Sequence, residues 1–195
     1  MSAVANPDPR YRSTDPLRDV ALIAVLAGAG LRASELCGLT VAAIIRDQPL
    51  RLRVRGKAKK VRIVPVAPSV VATIDAYLAT RTRVTSRSRV FVRTSGAPLT
   101  PRDLSRLVHR WLTHAHVPPR AGEAAHAFRH TYAIGQIDNG TTIHELQALL
   151  GHAYLNTTGI YLRAAADGLA HTAAAAPITG LLSSLPSPTN TSPDE

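Results

Sequence analysis

The chain has few of the residues that mark several large classes of protein. A single cysteine, Cys37, among 195 residues excludes an internal disulfide and a cysteine-rich zinc module. The apolar run at residues 21–29 is too short to cross a bilayer, which needs about 20 apolar residues. Residues 1–15 are polar and lack the apolar stretch of a secretory signal. We therefore expect a cytoplasmic protein that does not bind membranes.

Acidic residues are also scarce, and lysine is nearly absent. The chain has 13 acidic against 23 basic residues and a net charge of +10, which indicates a polyanionic partner. Its hydrophobic fraction of 45% is typical of a folded domain. All three lysines, Lys57, Lys59 and Lys60, lie within four residues of one another, whereas arginine is used everywhere else. A chain that prefers arginine but keeps lysine at one place suggests a need for a cation that can release its proton.

Apolar periodicity predicts a mixed α+β fold that is mainly helical, with a small antiparallel three-stranded sheet at one edge. Alternation at residues 50–55 and 61–66 is typical of strands and predicts a β-hairpin with one apolar and one arginine face. Residues 89–92 are expected to form the third strand. On the first helix we expect Val20, Ile23, Ala24 and Ala27 to share a face, and Gly28 and Gly30 to end it. Helices are predicted at residues 15–27, 68–81, 100–112, 125–139, 143–150 and 157–166.

The domain organisation follows from the same patterns. Residues 1–14 show no apolar periodicity and are predicted to be a flexible N-terminal segment. One folded domain is expected over residues 15–176. Residues 177–195 are rich in serine, proline and threonine and are predicted to be a disordered tail.

Several residues of this domain, most of them in its last third, fit phosphate chemistry. Arginine binds two phosphate oxygens at once and keeps its charge, so Arg32 and Arg129 are candidate phosphate ligands. His126 stands three residues before Arg129 on a predicted helix, so both side chains point from one face. His152 follows Gly151 at a predicted helix end, and Tyr161 comes nine residues later. Taken singly, each of these residues also fits an ordinary structural role.

Taken in order, Arg32, Lys57, His126-x-x-Arg129, Gly151-His152 and Tyr161 resemble the catalytic set of the tyrosine recombinases, the phage-integrase and Xer-type family. The resemblance implies that Tyr161 is the nucleophile, that Lys57 protonates the leaving 5′ oxygen, and that His126 assists proton transfer. It also implies that His152 hydrogen-bonds a phosphate oxygen. The implied activity is site-specific DNA recombination through a 3′-phosphotyrosyl intermediate, without metal or cofactor. Residues 15–176 would form the catalytic domain.

The resemblance also implies partners. Double-stranded DNA is the expected substrate, and a homo-tetramer on DNA is expected through exchange of a C-terminal helix, here at residues 169–176. A partner recombinase or an accessory protein is a further possibility. Basic residues of the predicted hairpin are expected to contact the DNA backbone: Arg51, Arg53, Arg55, Lys59, Lys60 and Arg62.

Two alternatives stay open at the level of sequence. Only about 14 residues precede the catalytic-type region, whereas family members carry an N-terminal core-binding domain. The chain could therefore be a truncated DNA-binding remnant with poor catalysis. A metallohydrolase using His126, His152 and Tyr161 is the second alternative, although no acidic co-ligand stands within the motifs.

Overall fold

The computed structural model describes residues 15–56, 60–117 and 124–151. These residues form a mainly helical fold with a small antiparallel sheet, which confirms the predicted fold class. No helix within these ranges is both long enough and apolar enough to span a membrane. In chain order the elements are α1 (Pro16–Ala29), α2 (Ala33–Gly38), a 3-10 turn (Val41–Ala43), β1 (Ile44–Ile45), β2 (Arg51–Arg55), β3 (Val61–Pro65), α3 (Pro68–Ala79), α4 (Pro101–His114), α5 (Ala124–Asp138) and α6 (Ile143–Leu150).

The ends of the helices follow from local capping chemistry. The Asp15 side chain accepts a hydrogen bond from the Arg18 backbone at 3.0 Å and so starts α1. At α6, Thr142 and Glu145 form a reciprocal capping box, in which the Thr142 backbone donates to Glu145 at 2.8 Å. Gly151 ends α6 with a φ of 64°, in the left-handed region that glycine adopts without strain. The predicted bounds of α6 are confirmed at both ends.

The sheet differs from the prediction in one strand. Its order is β1, β2, β3, and the β2–β3 hairpin pairs Leu52 with Val64 and Val54 with Arg62. The third strand is β1, which pairs with β2 through Ile44 and Leu52. Residues 89–92 form only isolated bridges, so their assignment as a strand was wrong. A strand of two residues shows no alternation, and only its pairing with β2 identifies it.

The main core lies around α1, which packs against α3 and α5. The prediction for α1 was wrong in two respects. Leu22, Val25 and Leu26 are fully buried, whereas Ala27 is exposed, so the helix buries a different face from the predicted one. Gly28 does not end the helix, which continues to Ala29. A Cβ at Gly28 would lie 2.7 Å from a Val70 methyl carbon, so glycine at this position permits the close approach of α3. Since α1 is apolar nearly all round, its sequence pattern could not select the buried face.

One ion pair is buried inside this core. The Arg18 guanidinium donates to Asp19 at 2.9 Å, and both side chains are at most 5% exposed. The Trp111 indole of α4 donates to the second carboxylate oxygen of Asp19 at 3.3 Å. Because buried charges need partners, this pair links the start of α1 to α4 by directional contacts as well as by apolar packing.

Candidate active site

Arg32 is placed by the turn between α1 and α2. Gly30 ends α1 in the left-handed conformation, with a φ of 56°. A Cβ on Gly30 would lie 2.3 Å from the Tyr132 ring, so only glycine allows α5 to approach this turn. The Arg32 backbone N–H donates to the Glu35 carboxylate at 2.8 Å and fixes the first turn of α2. Arg32 is therefore held by its backbone, while its side chain is 35% exposed.

Arg129 is buried and connects three segments of the chain. It lies on α5 and is only 4% exposed. Its guanidinium donates to the Gly30 carbonyl at the end of α1 and to the Leu150 carbonyl at the end of α6, both at 2.7 Å. Helix ends leave such carbonyls without an intrahelical partner. Arg129 thus satisfies the C-terminal ends of two helices at once.

The structure brings Arg32 and Arg129 together at the end of α6. The Arg32 guanidinium lies 3.4 Å from the Leu150 and Gly151 carbonyl oxygens and 3.0 Å from Glu35. Both arginines therefore reach the Leu150 carbonyl, although 97 residues separate them in the sequence. The partial negative charge at the C-terminal end of a helix favours cations there.

Arg62 lies in the same cluster, which corrects its predicted place on the arginine face of the hairpin. Its β3 position is opposite Val54, and residues directly opposite share one face of a sheet. Because Val54 and Val64 are buried, Arg62 points inward with them. The Arg62 guanidinium donates to both Glu35 oxygens at 2.7 and 2.8 Å and to the Leu149 carbonyl at 2.7 Å.

The outward face of the hairpin carries the remaining arginines of β2. Arg53 and Arg55 are exposed, and Arg51 is half-buried. Each stands opposite an apolar residue of β3, with Arg53 opposite Ile63 and Arg55 opposite Val61. The predicted arginine face is thus mixed: it alternates between cations and exposed aliphatic side chains across the two strands.

Glu35 balances part of this positive charge. Burial opposes ionisation of Glu35, but hydrogen bonds from Arg62 and Arg32 and the charge of Arg62 outweigh it, so the pKa lies below its ordinary value of 4.5. Three guanidinium groups and one carboxylate leave a net charge of +2. A phosphate diester carries one negative charge. The net positive charge of the cluster therefore has the right sign, and is large enough, to bind such an anion.

Among the remaining predicted site residues, the structure describes His126 and Lys60. His126 lies on α5 one turn before Arg129 and is exposed to solvent. Lys60 is also exposed. The described ranges do not include Lys57, Lys59, His152 and Tyr161.

The chain positions before Lys57 and His152 do lie at the arginine cluster. Gly56 precedes Lys57, and a Cβ on Gly56 would stand 3.4 Å from a Glu35 oxygen. Gly151 precedes His152, and a Cβ there would stand 3.1 Å from Arg62. The Gly56 backbone also donates to the Lys60 carbonyl at 2.8 Å, which closes the base of the hairpin turn.

The described residues of the cluster do not form a metal site. Within the described ranges, no group of three or more histidine, cysteine or carboxylate side chains could hold a metal ion. The donors that converge at the end of α6 are guanidinium groups, which repel cations and attract oxyanions.

Comparison with known proteins identifies the family. Residues 2–167 match the model of the phage integrase family. The chain belongs to the phage integrase family. It is 35% identical over 160 residues to the tyrosine recombinase XerC of Myxococcus xanthus, an alignment that covers 78% of this chain and 52% of that protein.

Solved structures agree with this family assignment. The crystal structure of XerA recombinase matches with a TM-score of 0.66 at 30% identity, over 74% of this chain and 51% of that one. XerH recombinase in a post-cleavage complex with a palindromic difH substrate matches with a TM-score of 0.71 at 23% identity, over 89% and 49% of the two chains, which supports the fold. The chain spans about half the length of the curated relatives it matches.

Sequence reasoning missed two residues of this phage integrase site. Glu35 follows Arg32 by three residues on α2, a spacing that could have indicated the ion pair. Tyr132 packs its ring against Gly30, and burial raises the pKa of its phenol although the charges of Arg62 and Arg129 lower it. No short-range pattern indicated this contact, because Gly30 and Tyr132 are far apart in the sequence.

Proposed function

We propose that this chain is the catalytic domain of a site-specific DNA recombinase that cleaves and rejoins DNA through Tyr161. The observation that carries the proposal is the convergence of Arg32 and Arg129 on the end of α6, where both reach the Leu150 carbonyl. Arg32 also keeps 35% of its side chain exposed. Two guanidinium groups beside each other form a phosphate clamp that needs no metal.

The proposed reaction is a pair of transesterifications. The Tyr161 phenol oxygen attacks the scissile phosphorus and forms a 3′-phosphotyrosyl bond, while the bond to the 5′ oxygen breaks. His126 assists removal of the phenol proton, and Lys57 gives a proton to the leaving 5′ oxygen. Arg32, Arg129 and His152 bind the non-bridging oxygens. A second 5′ hydroxyl then attacks the phosphotyrosyl bond and restores the backbone, so no external energy source is required.

Two basic surfaces are proposed to bind double-stranded DNA. The first is the outward side of the hairpin, with Arg51, Arg53, Arg55 and Lys60. Lys59, which lies outside the described ranges, is proposed to contact the DNA backbone as well. The second is an exposed stripe on α4 that sequence reasoning missed, formed by Arg102, Arg106 and Arg110. Residues four apart share one face of a helix, and none of these three has an ion-pair partner within the described ranges. Arg62 is left out because its guanidinium is bound to Glu35.

Assembly and location also stay proposals. The proposal includes a homo-tetramer on DNA, linked by exchange of residues 169–176, which lie outside the described ranges. The same holds for a partner recombinase or accessory protein and for a cytoplasmic location. Mass photometry on recombination-site DNA would count the protomers, and a strictly monomeric complex would contradict the proposed exchange.

Covalent capture tests the proposed chemistry. The full chain would be incubated in EDTA with a pool of nicked duplexes of randomised sequence, and adducts that survive denaturation would be collected and sequenced. We expect an adduct from the unmodified chain and none from Tyr161→Phe. Equal capture by Tyr161→Phe would refute the nucleophile, and undiminished strand cleavage in EDTA would eliminate the metallohydrolase alternative.

The DNA-binding remnant predicts a different result. A remnant would bind duplex DNA with a steep dependence on salt concentration but would give no adduct from any sequence of the pool. Gel-shift measurements between about 50 and 200 mM salt therefore accompany the capture experiment.

A further inference from the structure

Beyond the proposed function, on which this inference rests, we propose that Arg62 is a positioning residue for the phosphate clamp. It does not contact the DNA backbone. Through Glu35 it orients Arg32, and through the Leu149 carbonyl it holds the end of α6.

The contacts of Arg62 use the whole guanidinium fork. Two nitrogens bind the two Glu35 oxygens, and the third binds the Leu149 carbonyl, all within 2.7–2.8 Å. The side chains of Arg62 and Glu35 are only 12% and 2% exposed. Lysine carries the same charge but cannot bind a carboxylate with two parallel hydrogen bonds and a carbonyl with a third in this planar arrangement.

Glu35 transmits this geometry to Arg32. The oxygen that accepts from Arg62 at 2.7 Å also accepts from the Arg32 guanidinium at 3.0 Å. The other oxygen accepts from Arg62 at 2.8 Å and from the Arg32 backbone at 2.8 Å. Each carboxylate oxygen is therefore shared between the two arginines, and Arg62 sets how strongly Glu35 can bind Arg32.

Removal of Arg62 would change both charge and geometry at the clamp. Arg32, Arg62 and Glu35 together carry a charge of +1, and without Arg62 they would carry none. Glu35 would then be free to pair fully with Arg32, and the guanidinium would be less available to a phosphate. The Leu149 carbonyl would also lose its described donor, next to the position where both other arginines bind Leu150.

Two glycines make room for this arrangement. A Cβ on Gly151 would lie 3.1 Å from both the Arg62 Cδ and one of its terminal nitrogens, and a Cβ on Gly56 would lie 3.4 Å from Glu35. The ion pair is thus packed closely between the end of α6 and the end of β2. A rigid pair in that position can hold the clamp within the narrow tolerance that phosphoryl transfer requires.

The test measures single-turnover adduct formation on a duplex recovered from the randomised pool, at saturating DNA. For Arg62→Met we expect the rate of adduct formation to fall about 100-fold, because a displacement of catalytic groups by roughly 1 Å has an effect of this size. The DNA affinity should stay within about threefold of that of the unmodified chain. Arg62→Lys keeps the charge and is expected to lose about 10-fold. The matched control is Arg46→Met, because Arg46 forms an exposed ion pair with Asp75, a residue outside the arginine cluster.

A substrate with an uncharged group at the scissile position distinguishes a role of Arg62 in positioning the clamp from a role in stability alone. A methylphosphonate at the scissile position has no charge for the clamp to hold, so the defect of Arg62→Met should shrink to less than about 10-fold on it. Equal fractional loss on both substrates, or no loss on either, would overturn the proposal. If Arg62→Met does not fold, the same comparison with Arg62→Lys decides the question.

A binding measurement distinguishes failure of this inference from failure of the proposed function. Inorganic phosphate would be titrated into the unmodified chain, Arg62→Met and Arg46→Met by calorimetry. We expect about tenfold weaker phosphate binding for Arg62→Met alone. If the unmodified chain forms no adduct but this loss is seen, the proposed function fails and the inference stands. Unchanged phosphate binding by Arg62→Met would refute the inference even if the chain cleaves DNA.

Discussion

The core around α1 and the cluster at the end of α6 are held together in different ways. Among the residues that the structure describes, the core contains 24 buried side chains that are almost all aliphatic or aromatic. Next to the candidate site, the described apolar cluster contains Tyr132, Ala133, Leu146 and Leu150. There the chain is fixed by Arg32, Arg62 and Arg129, which donate to carbonyls at the end of α6. Apolar burial secures one region, and charge-assisted hydrogen bonds secure the other.

Because arginines hold the chain together at the end of α6, the proposed phosphate ligands also stabilise the fold. Arg129 holds the ends of α1 and α6, so its substitution changes the scaffold and the clamp together. A loss of activity on substitution of Arg129 therefore cannot be attributed to phosphate contacts alone. The predictions below test whether the two regions respond independently.

The largest effect is expected from a cavity in the apolar core. Leu26→Ala removes a fully buried side chain of α1 and should lower the free energy of unfolding by about 2–5 kcal/mol. Thermal unfolding would measure the loss, and Leu17→Ala, at a side chain 43% exposed, is the control. A loss below about 1 kcal/mol would contradict the assignment of this face to the core.

A smaller and more local effect is expected at Arg129. Arg129→Met leaves the Gly30 carbonyl without its described donor and the Leu150 carbonyl with its longer contact to Arg32, and should cost about 1.5–3 kcal/mol. Hydrogen exchange should accelerate in residues 143–151 more than in α1 or α3, because the apolar cluster described around α6 is smaller than the core around α1. A uniform acceleration over all helices would show that the two regions are not separate.

The third prediction concerns pH. Because the Glu35 pKa is lowered in the folded protein, its ionised form stabilises the fold above the ordinary pKa of 4.5. This contribution is lost as the pH falls through the folded-state pKa. Glu35→Gln should therefore lower the unfolding temperature at pH 7, and the difference from the unmodified chain should narrow towards pH 3. A difference that stays constant over this range would contradict the assigned ion pairs.

The smallest effect is expected for chemical labelling of the Cys37 thiol. The labelling rate reports on opening of the core and requires no substitution. Burial, with a contribution from the charge of Asp103, raises the pKa of the Cys37 thiol to about 11. At pH 8 only about one thiol in a thousand is then ionised, so iodoacetamide should label it slowly. Labelling should become fast in urea. Fast labelling of the folded chain would indicate that the core opens locally at α2.

Elements with local signals were predictable from the sequence. The bounds predicted for α6 match the structure. Gly151 indicated the C-terminal end of the helix, and the structure adds a capping box of Thr142 and Glu145 at its start. The β2–β3 hairpin was predictable from its alternation. Arg32 and Arg129 were identified by motifs, and the structure brings their guanidinium groups to the same carbonyl.

Features that depend on distant pairing were not predictable. Alternation places Arg62 and Val64 on one face of β3, but only pairing with Val54 and Leu52 shows that this face is the buried one. The buried charge of Arg62 is neutralised by Glu35, which lies 27 residues earlier in the sequence. The same reasoning applies to β1, whose two residues are identified only by their pairing with β2.

The most direct test of the account locates the covalent bond itself. An adduct from the randomised pool would be trimmed with nuclease, and mass spectrometry of the tryptic peptides would find the residue that carries the nucleotide. We predict attachment at Tyr161 through a 3′ phosphate. Attachment at another residue, such as Tyr132 beside the arginine cluster, would contradict the assignment on which the proposed mechanism depends.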